Sequence, residues 1–292
     1  MHLIALILGL IIERLATHLL HLRQLRWFDG YFDIGLVQLA RLEGWVAMLA
    51  VLGLLAVPVL PVLLVSLIFT DVWWDLPYLA FAVIVLLFSL GPRDLGEEVD
   101  EYCDAVDREE GGRADQVARE LLEADGADDD DETVVRAVFI QANNRIFGVV
   151  FWFMVLGPVG AWLFRVGDLF RRRAVVEAER DPTMVKAREN IEAVHGLLGF
   201  APARLAALGY AISGSFDHAF SCWRTYTAAA GAPLHRINDE IVACVGCGAL
   251  NLVAGDTQSP DHGARKAMRL VTRTIFVWTT VIALITLPGW AP

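Results

Sequence analysis

The sequence predicts an all-α, polytopic integral membrane protein with about four transmembrane helices plus interfacial or re-entrant helices. Three observations carry this. First, 56% of the 292 residues are hydrophobic, and the mean hydropathy is +0.49, too apolar for an ordinary soluble domain. Second, the charged residues, 20% of the chain, are gathered into polar blocks. Third, the stretch Ala142–Arg173 has the build of a membrane segment. Asn143, Asn144 and Arg145 open it, 19 uncharged residues (146–164) follow, and Arg165 and Arg171–Arg173 close it. That uncharged length matches the hydrocarbon core.

Taken in order, residues 3–20 form a first apolar helix interrupted by Glu13, Arg14 and His18. Glu13, Thr17 and His21 share one helical face. Glu13-Arg14 stand where a cleavage site would fall and no basic leader precedes them, so the helix reads as retained. Residues 44–91 read as a transmembrane hairpin, kinked by Pro58 and Pro61, with Asp71-Val-Trp-Trp-Asp75 as its interfacial turn. Together, 1–91 make an N-terminal membrane region.

Residues 92–141 form an acidic helical loop that ends in the acidic turn 127–132, placed to favour the positive end of the helix starting near Thr133. Residues 142–168 are the central transmembrane helix. Gly157-Pro158 lies in its middle, where a membrane helix can re-satisfy the freed carbonyls. Residues 169–262 read as a basic and amphipathic helical region. Within it, the apolar run of 200–222 is short for a crossing and is expected to be interfacial or re-entrant. Residues 263–292 carry the C-terminal transmembrane helix. The basic clusters Arg171–Arg173 and Arg265–Arg273 place 165–273 in the cytoplasm and the C-terminus outside.

Composition and motifs exclude several classes. The net charge of −11 comes mostly from the block between Asp94 and Glu132, and no basic face interleaves with aromatics, so nucleic acid is not an expected partner. Four cysteines give no disulfide framework. Cys244-Val-Gly-Cys247 lacks the second ligand pair that zinc requires and reads as small residues in a packed helix. No P-loop and no G-x-S-x-G occurs. No cofactor and no metal is expected.

What remains is a polar set framed by membrane segments: Glu13, Arg14, Asn143, Asn144, Arg145, Arg165 and Arg204. Ionisable groups in such segments are costly and mark a site or a wet cavity. Guanidinium forks and amides suit a carboxylate, phosphate or amide ligand. The alternative is that they cap helix ends and snorkel to the interface.

Several short segments then carry a resemblance. Ile12-Glu13-Arg14-Leu15, Asn144-Arg145 leading to Phe151-Trp152, Gly157-Pro158-Val159-Gly160-Ala161 with Arg165, and Pro202-Ala203-Arg204-Leu205 occur in order. Together they resemble the AmpE-type inner-membrane proteins, regulators of β-lactamase induction. A more distant similarity is to the adenosylcobinamide-phosphate synthases of cobalamin biosynthesis, membrane enzymes that form an amide bond.

The chain departs from the synthase pattern at carboxylates: Asn143 replaces an acid, Phe147 an aspartate, and His195-Gly196 a pair of aspartates, while Asp168 remains. Carboxylates serve metal or general-base work in such chemistry. The resemblance therefore implies a multi-pass protein of the bacterial inner membrane, linked to cell-wall sensing, β-lactamase induction and antibiotic resistance. Its implied partners are the lipid bilayer and a small anionic or amide-bearing ligand, with no protein partner specified.

The implied ligand-binding residues are Glu13, Asn144, Arg145, Arg165 and Arg204. Glu13 would meet an amine or amide, Asn144 would orient the ligand, and the arginines would take carboxylate or phosphate. Two alternatives stay open. One is a cobinamide-phosphate-synthase-like ligase; the other is a transporter or flippase-like protein.

Overall fold

The computed structural model describes residues 5–9, 28–70, 75–90, 95–123, 131–227, 231–251 and 263–286. Among them the chain is all-α with no strand. Its helices are α1 (Asp29–Leu39), α2 (Gly44–Thr70), α3 (Asp75–Leu90), α4 (Leu95–Asp107), α5 (Gly111–Leu122) and α6 (Asp131–Ala142). A π-turn (Asn143–Phe147) links α6 to α7 (Gly148–Arg180), and a short 3₁₀ turn (Pro182–Met184) follows. Then come α8 (Val185–Ser213), α9 (Phe216–Thr227), α10 (Leu234–Ala249) and α11 (Gly263–Thr286). Glu13, Arg14 and the acidic turn of 127–130 lie outside the described residues.

Among the described residues, five helical stretches are long and apolar enough to cross a membrane: Gly44–Phe69, Leu76–Asp107, Glu132–Arg180, Pro182–Ser213 and Gly263–Thr286. The chain divides into two compact units, one of residues 1–92 with 148–200, the other of 93–147 with 201–292.

In the first unit, α1 buries Phe28, Phe32, Leu36 and Leu39, one helical face. Phe32 stacks on Phe170 at 4.8 Å. Helix α2 buries the apolar stripe Ala47, Val51, Leu55 and Val59, four residues apart, and Ser66, while its other faces expose leucine, valine and isoleucine. A helix apolar all round with one face packed is suited to lipid. Pro58 lies inside α2 and has no N–H for the carbonyl four residues back, that of Leu54. The Tyr31 hydroxyl donates to that carbonyl instead, at 2.7 Å.

The same device recurs in α8. Pro202, inside that helix, leaves the Leu198 carbonyl without its helical donor, and the Trp152 indole N–H donates to it at 3.0 Å. The prolines are therefore accommodated within continuous helices.

The expected central span over 142–168 falls on the end of α6, the π-turn and the first part of α7. At Gly157 the backbone takes φ 64° and ψ −150°, a conformation that suits glycine alone. Pro158 restarts the helix. A Cβ at Gly160 would lie 2.2 Å from the Trp152 carbonyl oxygen, and one at Gly148 would lie 2.2 Å from the Phe164 ring. Residues 16 apart in a straight helix are separated by about 24 Å, so the legs on either side of Gly157 fold back on each other. The uncharged 146–164 stretch thus includes a helical hairpin, and glycines at its seam let the legs touch.

In the second unit, Phe139 and Phe147 pack edge-on against Tyr210 at 4.9 and 5.7 Å, and Phe147 lies 5.0 Å from Trp278. Gly246 sits against the Phe139 ring, and Gly209 against Thr274 and Trp278. Alanines Ala203, Ala206 and Ala207 of α8 are fully buried in this core. Small residues of this kind let helices approach closely where lipid supplies no hydrophobic drive.

Residues 200–222 fall on the second half of α8 and on α9. Polar residues upstream, Glu192 and His195, do not end the helix because they are buried within its packing.

Candidate functional site

The π-turn Asn143–Phe147 inserts one extra residue between α6 and α7, a distortion often found at functional sites. It lies in the second unit, with Asn143, Asn144 and Arg145 all buried. Arg145 donates through Nη1 to Glu98 at 2.7 Å and through Nε to Gln141 at 3.1 Å. Gln141 in turn donates to the Leu121 carbonyl at 2.9 Å.

A buried guanidinium without its counter-charge is untenable, so Glu98 is the partner that lets Arg145 stay inside. Asn143 Nδ2 donates to Asn144 Oδ1 at 3.4 Å. The Asn143 side-chain oxygen Oδ1 and the Tyr210 hydroxyl are both buried and make no hydrogen bond among the described residues. Such groups are rare and call for an account.

Arg204 belongs to the same unit. It is half-buried and donates to Asn238 Oδ1 of α10 at 2.7 Å. The pair ties the Pro202-Ala203-Arg204-Leu205 segment to a buried amide.

Arg165 lies in the first unit, in a different polar centre. Asp168 is fully buried and accepts from Arg165 at 3.2 Å, Arg171 at 3.0 Å and Arg172 at 2.9 Å. Helical geometry brings this about, since residues three and four apart share a face. Arg173 points elsewhere and grips Asp33 of α1 with both nitrogens, at 2.7 and 2.9 Å. His195 is buried nearby, 5.3 Å from the Phe164 ring.

The expected site residues thus fall into separate centres. Asn144 and Arg145 meet on the π-turn, Arg204 pairs with Asn238, and Arg165 joins the Asp168 centre. Glu13 lies outside the described residues. Sequence reasoning missed Glu98, Gln141 and Asn238. Glu98 sits in an acidic run beside Glu97 and Glu101, and only its register with the buried Leu95, Val99 and Tyr102 distinguishes it. Among the described residues, no group of three His, Cys, Asp or Glu is arranged to hold a metal ion.

The cysteines of α9 and α10 form a half-buried group. Burial and a thiol hydrogen bond to Cys222 push the Cys244 thiol up to about 12, and burial pushes Cys247 up to about 11. Both are therefore protonated and inert near neutral pH.

Comparison with known proteins gives two similar curated proteins and a family. The first is a cobalamin biosynthesis protein CobD of Stutzerimonas stutzeri, 31% identical over 177 residues, covering 59% of this chain and 56% of that protein. The second is a protein of the same name from Chromobacterium violaceum, 27% identical over 224 residues and 68% of each chain. The chain therefore spans little more than half the length of the first of these relatives. No solved structure matches it. A family model described as "Regulatory signalling modulator protein AmpE" matches residues 1–290. With that match running over nearly the whole of a multi-pass, all-α chain, the protein belongs to the AmpE family.

Proposed function

We propose that this chain acts in the bacterial inner membrane as a regulatory protein linked to cell-wall sensing and β-lactamase induction. It would do so by binding an anionic or amide-bearing small molecule in a polar membrane pocket. The observation that carries this reading is the π-turn. Two asparagines and an arginine are buried there among apolar helices, charge-compensated by Glu98, with the Asn143 side-chain Oδ1 left without a donor among the described residues.

Asn143 and Asn144 supply amide donors and acceptors for a peptide-like group. Arg145 and Arg204 supply guanidinium nitrogens to a carboxylate or phosphate, held in place by Gln141 and Asn238. Arg165 and Glu13 belong to the proposed ligand set through the resemblance.

The test is a thermal-shift screen of detergent-purified protein against muropeptides, nucleotides and corrinoid precursors. A shift with muropeptides that is lost in Asn144→Ala, in a variant that melts normally alone, supports the reading. No shift with any class in folded protein sinks it.

The relatives named for cobalamin biosynthesis support a second reading, a membrane amide-forming enzyme. Purified protein that joins an amine to a corrinoid acid with ATP turnover would establish it. The loss of acids at Asn143, Phe147 and His195 weighs toward the first.

A further inference from the structure

We propose that α9 is an interfacial helix that inserts Phe216 and Phe220 into the bilayer and seats the headgroup of an amine-bearing, zwitterionic phospholipid. This goes beyond the regulatory reading and does not depend on it, since it concerns a different helix face.

Helix α8 ends a stretch able to cross a membrane, and its outer face in this unit is Leu205, Leu208 and Ile212, all exposed. Phe216 and Phe220 continue that spacing of four into α9 and are 53% and 50% exposed. Their rings stack on each other, centroids 5.8 Å apart and nearly parallel, and among the described residues nothing covers their outer side. The stripe is thus continuous with a lipid-facing one, and only Gly214 and Ser215 separate the two helices.

That bend is fixed. The Ser215 N–H donates to the Ala249 carbonyl at 2.8 Å, and a Cβ at Gly214 would lie 2.5 Å from the same oxygen. A helix held at the end of a spanning segment, with apolar rings out and charges beside them, has the build of a monotopic interfacial element.

The charges define the headgroup. A groove of about 450 Å³ is lined by Asp217, Phe220, Ser221 and Arg224. That is within the size range of small-ligand sites. Asp217 and Ser221 are four residues apart, as are Phe220 and Arg224, so the four lie on one side of the helix. Arg224 and the Ser221 hydroxyl suit a phosphate. Asp217 suits an ammonium and opposes a purely anionic headgroup. Phe220 supports the glycerol and the first methylenes.

The experiment replaces Phe216 with photoreactive benzoylphenylalanine in full-length protein. The variant is reconstituted in nanodiscs holding equal amounts of phosphatidylethanolamine and phosphatidylglycerol. The same probe at exposed Leu208 gives a lipid-facing reference, and at buried Phe139 a reference without lipid. We expect lipid adducts at positions 216 and 208. At 216, phosphatidylethanolamine should be enriched about threefold, the worth of an exposed ion contact, and Asp217→Asn should abolish that preference. Adducts to a second copy or to another protein, or no adduct at 216 while 208 reports lipid, would overturn the proposal. Lipid adducts in bulk proportion would overturn the headgroup seat. Spin-label depth measurements at Phe220→Cys give a readout that does not depend on photochemistry.

Discussion

The indole of Trp152 donates to the carbonyl of Leu198, which Pro202 leaves without its helical donor. A tryptophan and a proline that look like separate motif residues in the sequence are therefore one structural unit. Trp152→Phe keeps the ring and removes the donor. It should destabilise the protein by about 1–3 kcal/mol, the cost of an unmet buried carbonyl. Pro202→Ala restores a backbone N–H, so Trp152→Phe should cost much less in that background. A double-mutant cycle by chemical denaturation in detergent measures this, and equal costs in both backgrounds would contradict the assignment.

Asp168 joins three guanidiniums while fully buried. Asp168→Asn leaves them without their shared anion and should cost about 3–5 kcal/mol, as breaking a buried pair does. Loss of the monodisperse peak in size-exclusion chromatography of the detergent extract would show it. Arg172→Gln should be milder, because that side chain is partly exposed.

The Arg145–Glu98 pair makes a sharper claim. Either Arg145→Met or Glu98→Leu alone strands a buried charge, whereas the double variant removes both. The double variant should therefore melt higher than either single one. If it melts lower than both, the two residues are not each other's counter-charge. Ligand shifts in the double variant, if it folds, would separate the pair's structural role from a binding role.

Glycines give a test of the hairpin. Gly157→Ala places a side chain at φ 64°, and Gly160→Ala drives a methyl into the Trp152 carbonyl. Each should lower stability by at least about 1–3 kcal/mol. Gly53→Ala in α2 meets no atom within 4 Å and should be neutral or mildly stabilising. Thermal melts of the three variants in one detergent would rank them.

Thiol chemistry supplies a pH prediction. The folded Cys247 and Cys244 thiols lie at about 11 and about 12, above the ordinary value of about 8.5. Their raised values favour the folded state below the unfolded value. That contribution falls away as pH climbs from about 8.5 toward 11 and 12, because the unfolded chain loses its protons first. Iodoacetamide at pH 8 should label these two positions slowly in the native protein and quickly after denaturation, as read by peptide mass spectrometry.

Much of the fold was legible because hydropathy and length suffice to find helices. The hairpin Gly44–Leu90, the C-terminal helix and the polar ends of the central stretch all follow from them. The fold-back at Gly157 was not, because a window of 19 uncharged residues reads the same whether the chain runs straight or turns. Gly148 and Gly160 were the available signal, since they lie on either side of the turn, where a missing Cβ lets each leg approach the other. Asn143, Asn144 and Arg145 stood out as polar residues at the edge of an apolar run. Their partners did not, because Glu98 is 47 residues from Arg145 and looks like any other member of an acidic helix. Asn238 likewise gives no local sign that Arg204 will find it.

The turn at Gly157 also bears on how the chain is made. An element whose legs fold back on each other leaves the lipid on the side it entered. Such an element would hold the arginine run after Phe170 away from the bilayer centre, where each such residue costs about 2.5–3.5 kcal/mol.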